Sequence, residues 1–516
     1  MSTEAEVAPT HSRRDVVQAL WGLMLGMFVA ILAGTVVSNA LPRIVAELKG
    51  SQSIFAWIVT VELLAMTATV PLWGKLADLY SRKLLIQASL SLFVVGSLIA
   101  GFSQNIEMLI VSRVVQGLGA GGVTALATIV MAAMIPPREL GKYSGMFGAV
   151  FGVGTVAGPL IGGLLVDTSW LGWRWCFFIG VPFTIAAIFL LQRTLHLPVV
   201  RKEDTRIDYL GAFLIVSGVS TLLIWSSLAG QKFEWASAWT AGLVALGVLL
   251  LVAAVRVEAT AHDPIVPLSI FRNRTVSLAT VASALVGVAM FGGTVFLSQY
   301  FQLALGKTPT QAGLMGLPLI FGLLISSTVA GQLITKFGRW KAYLVSGGVV
   351  MVGGLLLLST ITAQTTVFTV SVHMFVLGVG VGLLMQNLVL AAQNDVPAKD
   401  LGATTSTLTF FRSLGGAVGV SALGAVLATK VSSLAAEKFG PMGGTTGGDQ
   451  VPDISVLPPE VKAVVADIYA TATAEIFLIG APFAVLALLA VLFIKEKPLK
   501  ETSGDDRLAA EMAAGH

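Results

Sequence analysis

Two charged residues interrupt long apolar stretches of this 516-residue chain and could do chemistry there. Glu62 lies within "WIVTVELLAMTA", and Arg113 lies within "IVSRVVQGLGAGG". A carboxyl group in apolar surroundings holds a proton more readily than it does in water, and a neighbouring guanidinium opposes that protonation. A pair of this kind can therefore take up and release a proton as its surroundings change.

The elements that position these residues are predicted to be membrane helices. The chain is 55% hydrophobic and only 12% charged, with a mean hydropathy of +0.85, whereas soluble domains are about 25% charged. Apolar runs of about 20 residues, long enough to cross roughly 30 Å of hydrocarbon, recur from end to end. The composition predicts an all-α polytopic membrane protein and disfavours an outer-membrane β-barrel, which would show short alternating strands.

Hydropathy and helix breakers predict fourteen spans, so both termini lie on the same side of the membrane. Of the 32 Lys and Arg residues, 22 fall in segments on that side, 8 fall on the other side, and Arg113 and Arg412 fall within spans. The positive-inside rule then places both termini in the cytoplasm. In chain order, the predicted spans are 17–41, 54–76, 84–102, 106–131, 141–165, 173–195, 208–228, 236–256, 274–301, 311–336, 341–361, 367–391, 401–429 and 473–495.

Matching motifs in the two halves predict an internal repeat. The inner loops after spans 2 and 10 read "GKLADLYSRK" and "GQLITKFGRW", and spans 4 and 12 share closely spaced glycines. Secondary transporters often contain such duplicated bundles, and spans 7 and 8 then form an insert between the halves. The predicted segments are a cytoplasmic tail at 1–16, an N-terminal six-helix bundle at 17–195, inserted helices with linkers at 196–260, a C-terminal six-helix bundle at 261–495 with an outer loop at 430–472, and a cytoplasmic tail at 496–516.

The composition also disfavours several classes of protein. The single cysteine, Cys176, excludes an intramolecular disulfide and a multi-cysteine metal site. The sequence has no GxxxxGK[ST] phosphate-binding loop, which disfavours ATP-driven transport. No convergent His/Asp/Cys cluster suggests an enzyme, and the scattered basic residues do not suggest a nucleic-acid partner. We therefore expect no catalytic residues, no metal and no cofactor, with a proton gradient as the energy source.

Several motifs together resemble the major facilitator superfamily, and specifically its fourteen-helix drug:proton antiporter group (EmrB/QacA-like). They are "LAGTVVSNALP" in span 1, "GKLADLYSRK" after span 2, "RVVQGLGAGG" in span 4 and "GVGTVAGPLIGG" in span 5, so the resemblance covers nearly the whole chain. It implies that Asp78 and Arg82 belong to a charge lock between the halves in the outward-open state. It also implies an export-linked bend at Gly158-Pro159, although ordinary helix packing explains these residues equally well. The residues expected to act in gating, from the motifs and the repeat, are Gly74, Asp78, Arg82, Gly154, Gly158, Pro159, Gly331 and Arg339.

One position departs from the family pattern. The family's span 1 motif reads Leu-Asp-x-Thr; here Leu32 and Thr35 match, but Ala33 occupies the position of the acid. At 1.5 Å per residue, Ala33 and Glu62 lie about 12 Å below the outer surface and Arg113 lies about 10 Å below it. We therefore expect Glu62 to pair with Arg113 and to take over the role of the missing acid. Alternatively, Glu62 is a structural partner only, is hydrated near the outer surface, or acts across the interface between halves.

Two further polar residues lie within spans of the C-terminal half. His373 lies about six residues into span 12 and is either a second proton site or a packing group. Arg412 lies near mid-membrane in span 13, with no acid apparent close to it in sequence. It is expected to face a watery cavity, to meet helix-end carbonyls or to bind an anionic group.

The resemblance implies a substrate cavity between the halves near mid-membrane. Amides, methionines and aromatic side chains suit a large hydrophobic ligand with loose specificity. Gln386 and Asn387 could instead form interhelical hydrogen bonds. The candidate cavity residues are Asn39, Met66, Gln116, Phe291, Gln299, Gln302, Met385, Gln386, Asn387, Thr407, Phe411 and Arg412.

The function expected from these features is secondary active export of hydrophobic or amphiphilic compounds, such as drugs or antibiotics, by proton-coupled antiport. The alternatives are an exporter of an endogenous lipid, amino acid or metabolite, and a transporter without proton coupling. A receptor or channel is a further class, which the two-half repeat disfavours. The expected partners are the lipid bilayer, a small substrate and protons, in a monomer that crosses the cell membrane many times.

Overall fold

The computed structural model describes residues 13–48, 52–168, 171–195, 208–229, 233–234, 236–262, 264–439, 458–504 and 506–509. These described ranges are almost entirely helical, and the β-contact found within them is an isolated bridge between Ala229 and Phe233. The first twelve residues of the predicted N-terminal tail and residues 440–457 of the predicted outer loop lie outside the described residues.

The helices are labelled in chain order. They are α1 (Arg13–Glu47), α2 (Gln52–Leu79), α3 (Arg82–Gly101), α4 (Ile106–Met134), α5 (Pro137–Asp167), α6 (Trp175–Phe178), α7 (Gly180–Thr194), α8 (Tyr209–Leu228), α9 (Ala238–Thr260), α10 (Arg274–Gln299), α11 (Pro309–Met315), α12 (Leu317–Phe337), α13 (Lys341–Leu358), α14 (Val367–Asp395), α15 (Leu401–Phe439) and α16 (Pro459–Leu492).

Polar caps set where several of these helices begin. The side chain of Asn105 accepts a hydrogen bond from the Met108 N–H at 2.8 Å at the start of α4. Asp208 does the same for α8, accepting from the Gly211 N–H at 2.7 Å. These side chains satisfy backbone donors that have no partner inside the helix. At the other end of a helix, Gly338 stops α12 by adopting a left-handed conformation with φ 69°.

The prediction of an all-helical membrane protein is confirmed. By length and composition, twelve helical segments of the described residues are apolar enough to cross a membrane. They include most of the helices above, with α6 and α7 counted as one segment and α11 and α12 as another. Helices α2 and α5 are not among the twelve, but with 28 and 31 residues they are as long as those that are.

Two predicted spans are interrupted rather than continuous. The sixth span is divided into α6 and α7 at Ile179, and the tenth is divided into α11 and α12 at Gly316. Pro182 and Pro318 lie just after these breaks. Because proline has no N–H, the helical hydrogen bond that would bridge each break cannot form.

The predicted outer loop at 430–472 is too long. Helix α15 continues to Phe439 and α16 already begins at Pro459, so much of the predicted loop is helical. An ion pair between Lys438 and Asp467 joins the two extensions. Hydropathy missed them because they are polar helices that continue beyond the apolar core of the membrane.

The helices pack into two groups and an inserted pair. Helices α1 to α5 and α7 contact one another, as do α10 and α12 to α16. The insert, α8 and α9, packs as a hairpin, and α8 also contacts α2 and α15. The two groups meet mainly where α5 packs on α12 and where α2 packs on α15. The space between the groups is therefore bounded by helices from both halves of the chain.

The segment after α16 folds back beneath the ends of both groups that are predicted to face the cytoplasm, called the inner ends below. The indole N–H of Trp340 donates to the Lys497 carbonyl oxygen at 2.9 Å, and the Lys500 N–H donates to Asn394 Oδ1 at 2.8 Å. On the N-terminal side, the Arg138 N–H donates to the Lys500 carbonyl oxygen at 3.4 Å. Part of the predicted C-terminal tail is thus fixed to the helices and bridges the two groups.

Candidate functional site

A hydrogen-bonded cluster surrounds Arg113 inside the N-terminal group. Its Nη2 atom forms an ion pair with Glu62 Oε2. Its Nη1 atom donates to Gln116 Oε1 at 2.6 Å, and its Nε atom donates to the Ile58 carbonyl oxygen at 3.2 Å. Gln116 in turn donates to Ser97 Oγ at 2.9 Å. The pairing that the depth argument predicts is therefore present, and it joins α2, α3 and α4.

This Glu62–Arg113 pair, called the charge pair below, is withdrawn from solvent. The Arg113 side chain is fully buried, and the Glu62 side chain is 10% exposed. The Phe177 ring covers the guanidinium at 5.8 Å from its centroid, in cation–π geometry. Because a charge at membrane depth is costly unless it is paired or hydrated, both partners depend on this contact.

The position of the missing acid is apolar in the structure. Ala33 is buried on α1, in a small cluster with Val29, Phe93 and Ala120, against which Met66 packs. No titratable side chain belongs to this cluster of described residues. At this level of the N-terminal group, the carboxylate is supplied by α2 through Glu62 rather than by α1.

At the inner end of the molecule, α2 and α15 meet in what is called the inner contact below. The carboxylate of Asp78 accepts hydrogen bonds from the Gly402 N–H at 3.0 Å and the Ala403 N–H at 2.9 Å. These N–H groups belong to the first turn of α15, where backbone donors lack helical partners and the helix dipole favours an anion. The inner contact therefore joins the N-terminal and C-terminal groups through one side chain.

Small residues allow this close approach. A Cβ atom on Gly74 would lie 2.9 Å from the Gly402 carbonyl oxygen and closer still to the Ser406 side chain. A Cβ atom on Gly402 would likewise lie 2.6 Å from the Gly74 carbonyl oxygen. Glycine at both positions lets the backbones of α2 and α15 touch, which places Asp78 within reach of the α15 amides.

The other predicted gating residues in these two loops differ in their burial and in their contacts. Arg82 is half-buried and donates from Nε to the Ala77 carbonyl oxygen at 3.3 Å, within its own segment. Gly331 is buried on α12, and Arg339, beyond the end of that helix, is exposed. In the first of the two loops that are similar in sequence, Asp78 bonds the opposite group, whereas Arg339 of the second loop is exposed.

The glycine motif of α5 packs against α1. A Cβ atom on Gly158 would lie 2.9 Å from the Thr35 carbonyl carbon, and one on Gly154 would lie 2.9 Å from Ile31. Thr35 Oγ1 also donates to the Gly154 carbonyl oxygen at 3.1 Å. Pro159 lies within α5, which is one helix from Pro137 to Asp167, and its side chain is outside the described part of the structure.

Several candidate cavity residues make their contacts within one group of helices. Gln116 is fully buried and uses both ends of its amide in the Arg113 cluster, so the structure does not bring it to a cavity. Asn387 is 2% exposed and donates to the Leu383 carbonyl oxygen of its own helix at 2.7 Å. Phe291 packs against Gly416. The Asn39 side chain lies outside the described residues.

Other candidates remain at least partly accessible or unpaired. Gln302 donates to Ser298 Oγ at 3.2 Å, and Gln299 Oε1 is buried with no hydrogen-bond partner among the residues that the structure describes. His373 also has a buried ring nitrogen, Nδ1, without a partner. Phe411 stacks edge-on against Phe271 and against its neighbour Phe410. None of these side chains contacts the charge pair among the described contacts.

A small cavity lies between the two groups on the inner side of the molecule. Thr128 and Met131 of α4 face Gln386 and Gln393 of α14 across it. Gln393 donates to Thr405 Oγ1 of α15 at 2.9 Å, whereas Gln386 is half-buried. This cavity brings one predicted liner, Gln386, to the boundary between the groups.

Sequence reasoning missed the α15 side of the inner contact. Gly402 and Ala403 contribute backbone N–H groups, and no side-chain pattern marks such donors. The one signal available is the helix start "DLGATTST", in which a glycine and small polar residues permit close approach. As for metals, no group of three or more His, Cys, Asp or Glu side chains in the described ranges could hold an ion.

Comparisons with known proteins agree with this architecture. The multidrug transporter protein MdtP of Bacillus subtilis is 35% identical over 423 residues, which cover 81% of this chain and 77% of the relative. The multidrug resistance protein 3 of the same organism is 31% identical over 494 residues, covering 93% of this chain and 96% of the relative. An uncharacterized MFS-type transporter of Mycobacterium tuberculosis is 36% identical over 499 residues, covering 96% of this chain and 71% of the relative.

Among solved structures, the human organic anion transporter MFSD10 has the same fold. It superposes with a TM-score of 0.59 at 14% sequence identity, over 91% of this chain and 99% of that chain. The sequence profile named Major Facilitator Superfamily matches residues 23–420 of this chain. With helices in two groups, an inner contact between them and these relatives, the chain belongs to the Major Facilitator Superfamily and is a multi-pass membrane transporter.

Proposed function

We propose that this protein is an exporter of hydrophobic or amphiphilic compounds, driven by proton antiport across the cell membrane. The observation that carries the proposal is the charge pair, a carboxylate and a guanidinium buried together at membrane depth in the N-terminal group. Intramembrane carboxylates commonly serve proton pathways in transporters. The names of the two Bacillus subtilis relatives support drug-like substrates.

The proposed membrane topology has fourteen spans with both termini in the cytoplasm, as in the drug:proton antiporter group. Adding α2 and α5 to the twelve apolar segments gives fourteen. The excess of basic residues on the side of the termini supports this orientation. We further infer two six-helix bundles, at 17–195 and 261–495, with α8 and α9 inserted between them in a monomer.

Alternating access would proceed by opening and closing the inner contact. With Asp78 bonded to two amides of α15, the inner side is closed in this conformation. Opening towards the cytoplasm must break both hydrogen bonds and separate Gly74 from Gly402. Rocking of one bundle against the other is the motion expected of transporters built from repeats.

The proton step would take place at Glu62. A proton arriving from the outer side binds the Glu62 carboxylate, which becomes neutral, and the ion pair with Arg113 is lost. Arg113 keeps its hydrogen bonds to Gln116 and to the Ile58 carbonyl oxygen, so the guanidinium stays in place. Release of the proton towards the cytoplasm restores the pair. Because Glu62 returns to its starting state, the free energy for export comes from the proton moving down its gradient across the membrane.

Transport into inside-out membrane vesicles tests this proposal. The vesicle interior is made acidic, and uptake of the neutral fluorophore 1-pyrenebutanol is followed with and without nigericin, which collapses the pH gradient. Wild-type protein should accumulate the probe only while the gradient lasts. Glu62→Gln should abolish the gradient-dependent part of the uptake.

Glu475→Gln is the matched control, because it removes a carboxylate from a partly exposed ion pair with Lys430. That variant should transport as the wild type does. Wild-type uptake by Glu62→Gln, with an unchanged response to nigericin, would refute the proton-coupling role of Glu62.

A second candidate function is transport without proton coupling, including export of an endogenous lipid, amino acid or metabolite. The observation that favours it is Ala33, because the acid of the family's span 1 motif is replaced by an apolar residue in an apolar cluster. Uptake of the probe that does not respond to nigericin, in wild-type vesicles, would favour this candidate.

A further inference from the structure

The C-terminal group holds a mid-membrane cation that has no partner among the described residues. Arg412 is eleven residues into α15, about 17 Å along the helix axis from its inner end. Its side chain is half-buried, and it makes no hydrogen bond or ion pair with any residue that the structure describes. A charged side chain at this depth is expected to face the bundle interior or a water-filled cavity and is by default a functional candidate.

The helical register shows which way Arg412 faces. Thr405 is seven residues earlier on α15 and so lies on the same stripe, two turns closer to the cytoplasm. Thr405 Oγ1 accepts a hydrogen bond from Gln393 of α14, so this stripe meets α14 near the start of α15. At the level of Arg412 itself, the α15 backbone packs against α10, where a Cβ atom on Gly287 would clash with the Arg412 carbonyl oxygen. Seven residues before Gln393, on its own stripe, is Gln386. Because α14 and α15 run in opposite directions, Gln386 and Arg412 both lie about 10 Å outward from the Thr405–Gln393 bond.

Gln386 borders the space between the two groups. Together with Gln393 it lines the cavity whose opposite wall is Thr128 and Met131 of α4. Like Arg412, Gln386 is half-buried and makes no hydrogen bond within the described part of the chain. A guanidinium and an amide, neither with a hydrogen-bond partner among the described residues, therefore lie at one level on neighbouring helices, and the amide borders this space.

Neighbouring helices do not neutralise Arg412. Helix α10 contains no acidic residue, and the acid of α14 is Asp395, at its inner end, where it pairs with Lys497. On α16, Glu475 pairs with Lys430, and on α2, Glu62 pairs with Arg113. Each of these carboxylates is already occupied by another cation.

We propose that Arg412 and Gln386 form a subsite for the carboxylate of an amphiphilic substrate. This inference rests on the proposed export function and names its preferred substrate class. The planar guanidinium can donate two parallel hydrogen bonds to a carboxylate, and the Gln386 amide supplies a third donor. The bound anion balances the charge of Arg412, and the apolar part of the substrate remains between the groups. An inside-negative membrane potential then favours release of the anion to the outside.

Binding of three probes that share one hydrocarbon skeleton tests the subsite. The probes are 1-pyrenebutyrate, 1-pyrenebutanol and 4-(1-pyrenyl)butylamine, and their affinities are measured by fluorescence with the full chain in lipid nanodiscs. Wild-type protein should bind the acid on the order of tenfold more tightly than the alcohol, as expected of a charge-assisted contact. The amine should bind more weakly than the alcohol.

Arg412→Gln should abolish the preference for the acid while leaving affinity for the alcohol unchanged. Arg412→Lys keeps the charge but loses the bidentate geometry, so an intermediate preference is expected, and it provides a second variant if Arg412→Gln does not fold. Gln386→Leu should reduce the preference by a smaller factor. Lys430→Gln is the matched control, because it removes a positive charge from the same helix outside the proposed subsite.

An equal preference for the acid in wild type, Arg412→Gln and Arg412→Lys would overturn the subsite, as would tighter binding of the amine. These results are separable from a failure of the proposed function. Binding in nanodiscs reports on the subsite even if vesicles transport none of the probes, which would count against export instead. Vesicles that transport the alcohol, together with a preference for the acid that the Arg412 variants leave unchanged, support export and refute the subsite.

Discussion

Each half of this transporter carries one arginine within a predicted span, and the two arginines differ in their burial and in their partners. Arg113 is fully buried, paired with Glu62 and hydrogen-bonded to Gln116 and to a backbone carbonyl. Arg412 is half-buried and has no partner among the described residues. The N-terminal cation is neutralised within the protein, whereas the C-terminal cation leaves its charge available to another molecule.

The difference suggests a division of labour between the halves. A closed ion pair can respond to a proton, because protonation of the carboxylate breaks it. A cation without a partner in the protein can bind a ligand, because an anionic group can form charge-assisted hydrogen bonds with it. Under this interpretation the N-terminal group senses the proton gradient, and the C-terminal group selects the substrate.

The largest effect is expected on removing the paired cation. Arg113→Gln leaves Glu62 buried without a counter-charge, and breaking a buried pair in this way costs about 3–5 kcal/mol. The free energy of unfolding, measured by denaturant titration in detergent, should fall by that amount, and transport should be lost. Arg412→Gln is the comparison and should change stability by less than about 1 kcal/mol. Equal losses in the two variants would contradict the contrast between the arginines.

Removing the charge of the paired carboxylate should have a smaller effect on stability. Glu62→Gln keeps a hydrogen-bond acceptor for Arg113 while mimicking the protonated acid, so we expect a loss of about 1–3 kcal/mol. Its binding of 1-pyrenebutyrate should stay within about threefold of the wild type, because the two sites are independent. If Glu62→Gln weakened binding of 1-pyrenebutyrate as much as Arg412→Gln does, proton coupling and anion binding would have to be assigned to one site.

A reversal of the charge at position 412 would sharpen the comparison further. Arg412→Glu turns the open cation into an open anion at the same position, so the order of the three pyrene probes should invert. The amine should then bind on the order of tenfold more tightly than the acid. An unchanged order, with the protein still monodisperse, would show that Arg412 does not meet the ligand.

The smallest effect is expected at the aromatic ring beside Arg113. Phe177→Leu removes the cation–π contact at 5.8 Å but keeps an apolar side chain, so stability should fall by about 1 kcal/mol. The loss should vanish when Arg113 is already replaced, which a double-mutant cycle of unfolding free energies would show. A loss of the same size without Arg113 would assign the role of the ring to packing alone.

Much of the fold and one part of the site could be predicted from the sequence. Spans follow from apolar length, and the fixed rise of a helix converts sequence distance into depth. That conversion was enough to place Glu62 and Arg113 at one level, where an intramembrane charge needs a partner.

The direction in which a side chain points was harder to predict. Gln116 was expected to line the cavity but lies inside the N-terminal group, because Arg113 and Ser97 use both ends of its amide. A helix that is apolar on all sides carries no stripe that distinguishes a cavity from a neighbouring helix. The extension of α15 was missed for a related reason, since polar helical turns give no hydropathy signal.

The inner contact has a consequence for how this gate can change during evolution. Asp78 bonds backbone amides of α15, which every residue except proline possesses. Substitutions on α15 other than proline therefore cannot remove those donors, and the side-chain chemistry of the inner contact is determined by α2 alone. The contact does not need a matched pair of side chains. Residues on α2 and α15 can therefore change independently during evolution, as long as α15 keeps small residues there. Residue covariation between the halves should accordingly be weak at this contact, even where Asp78 itself never varies.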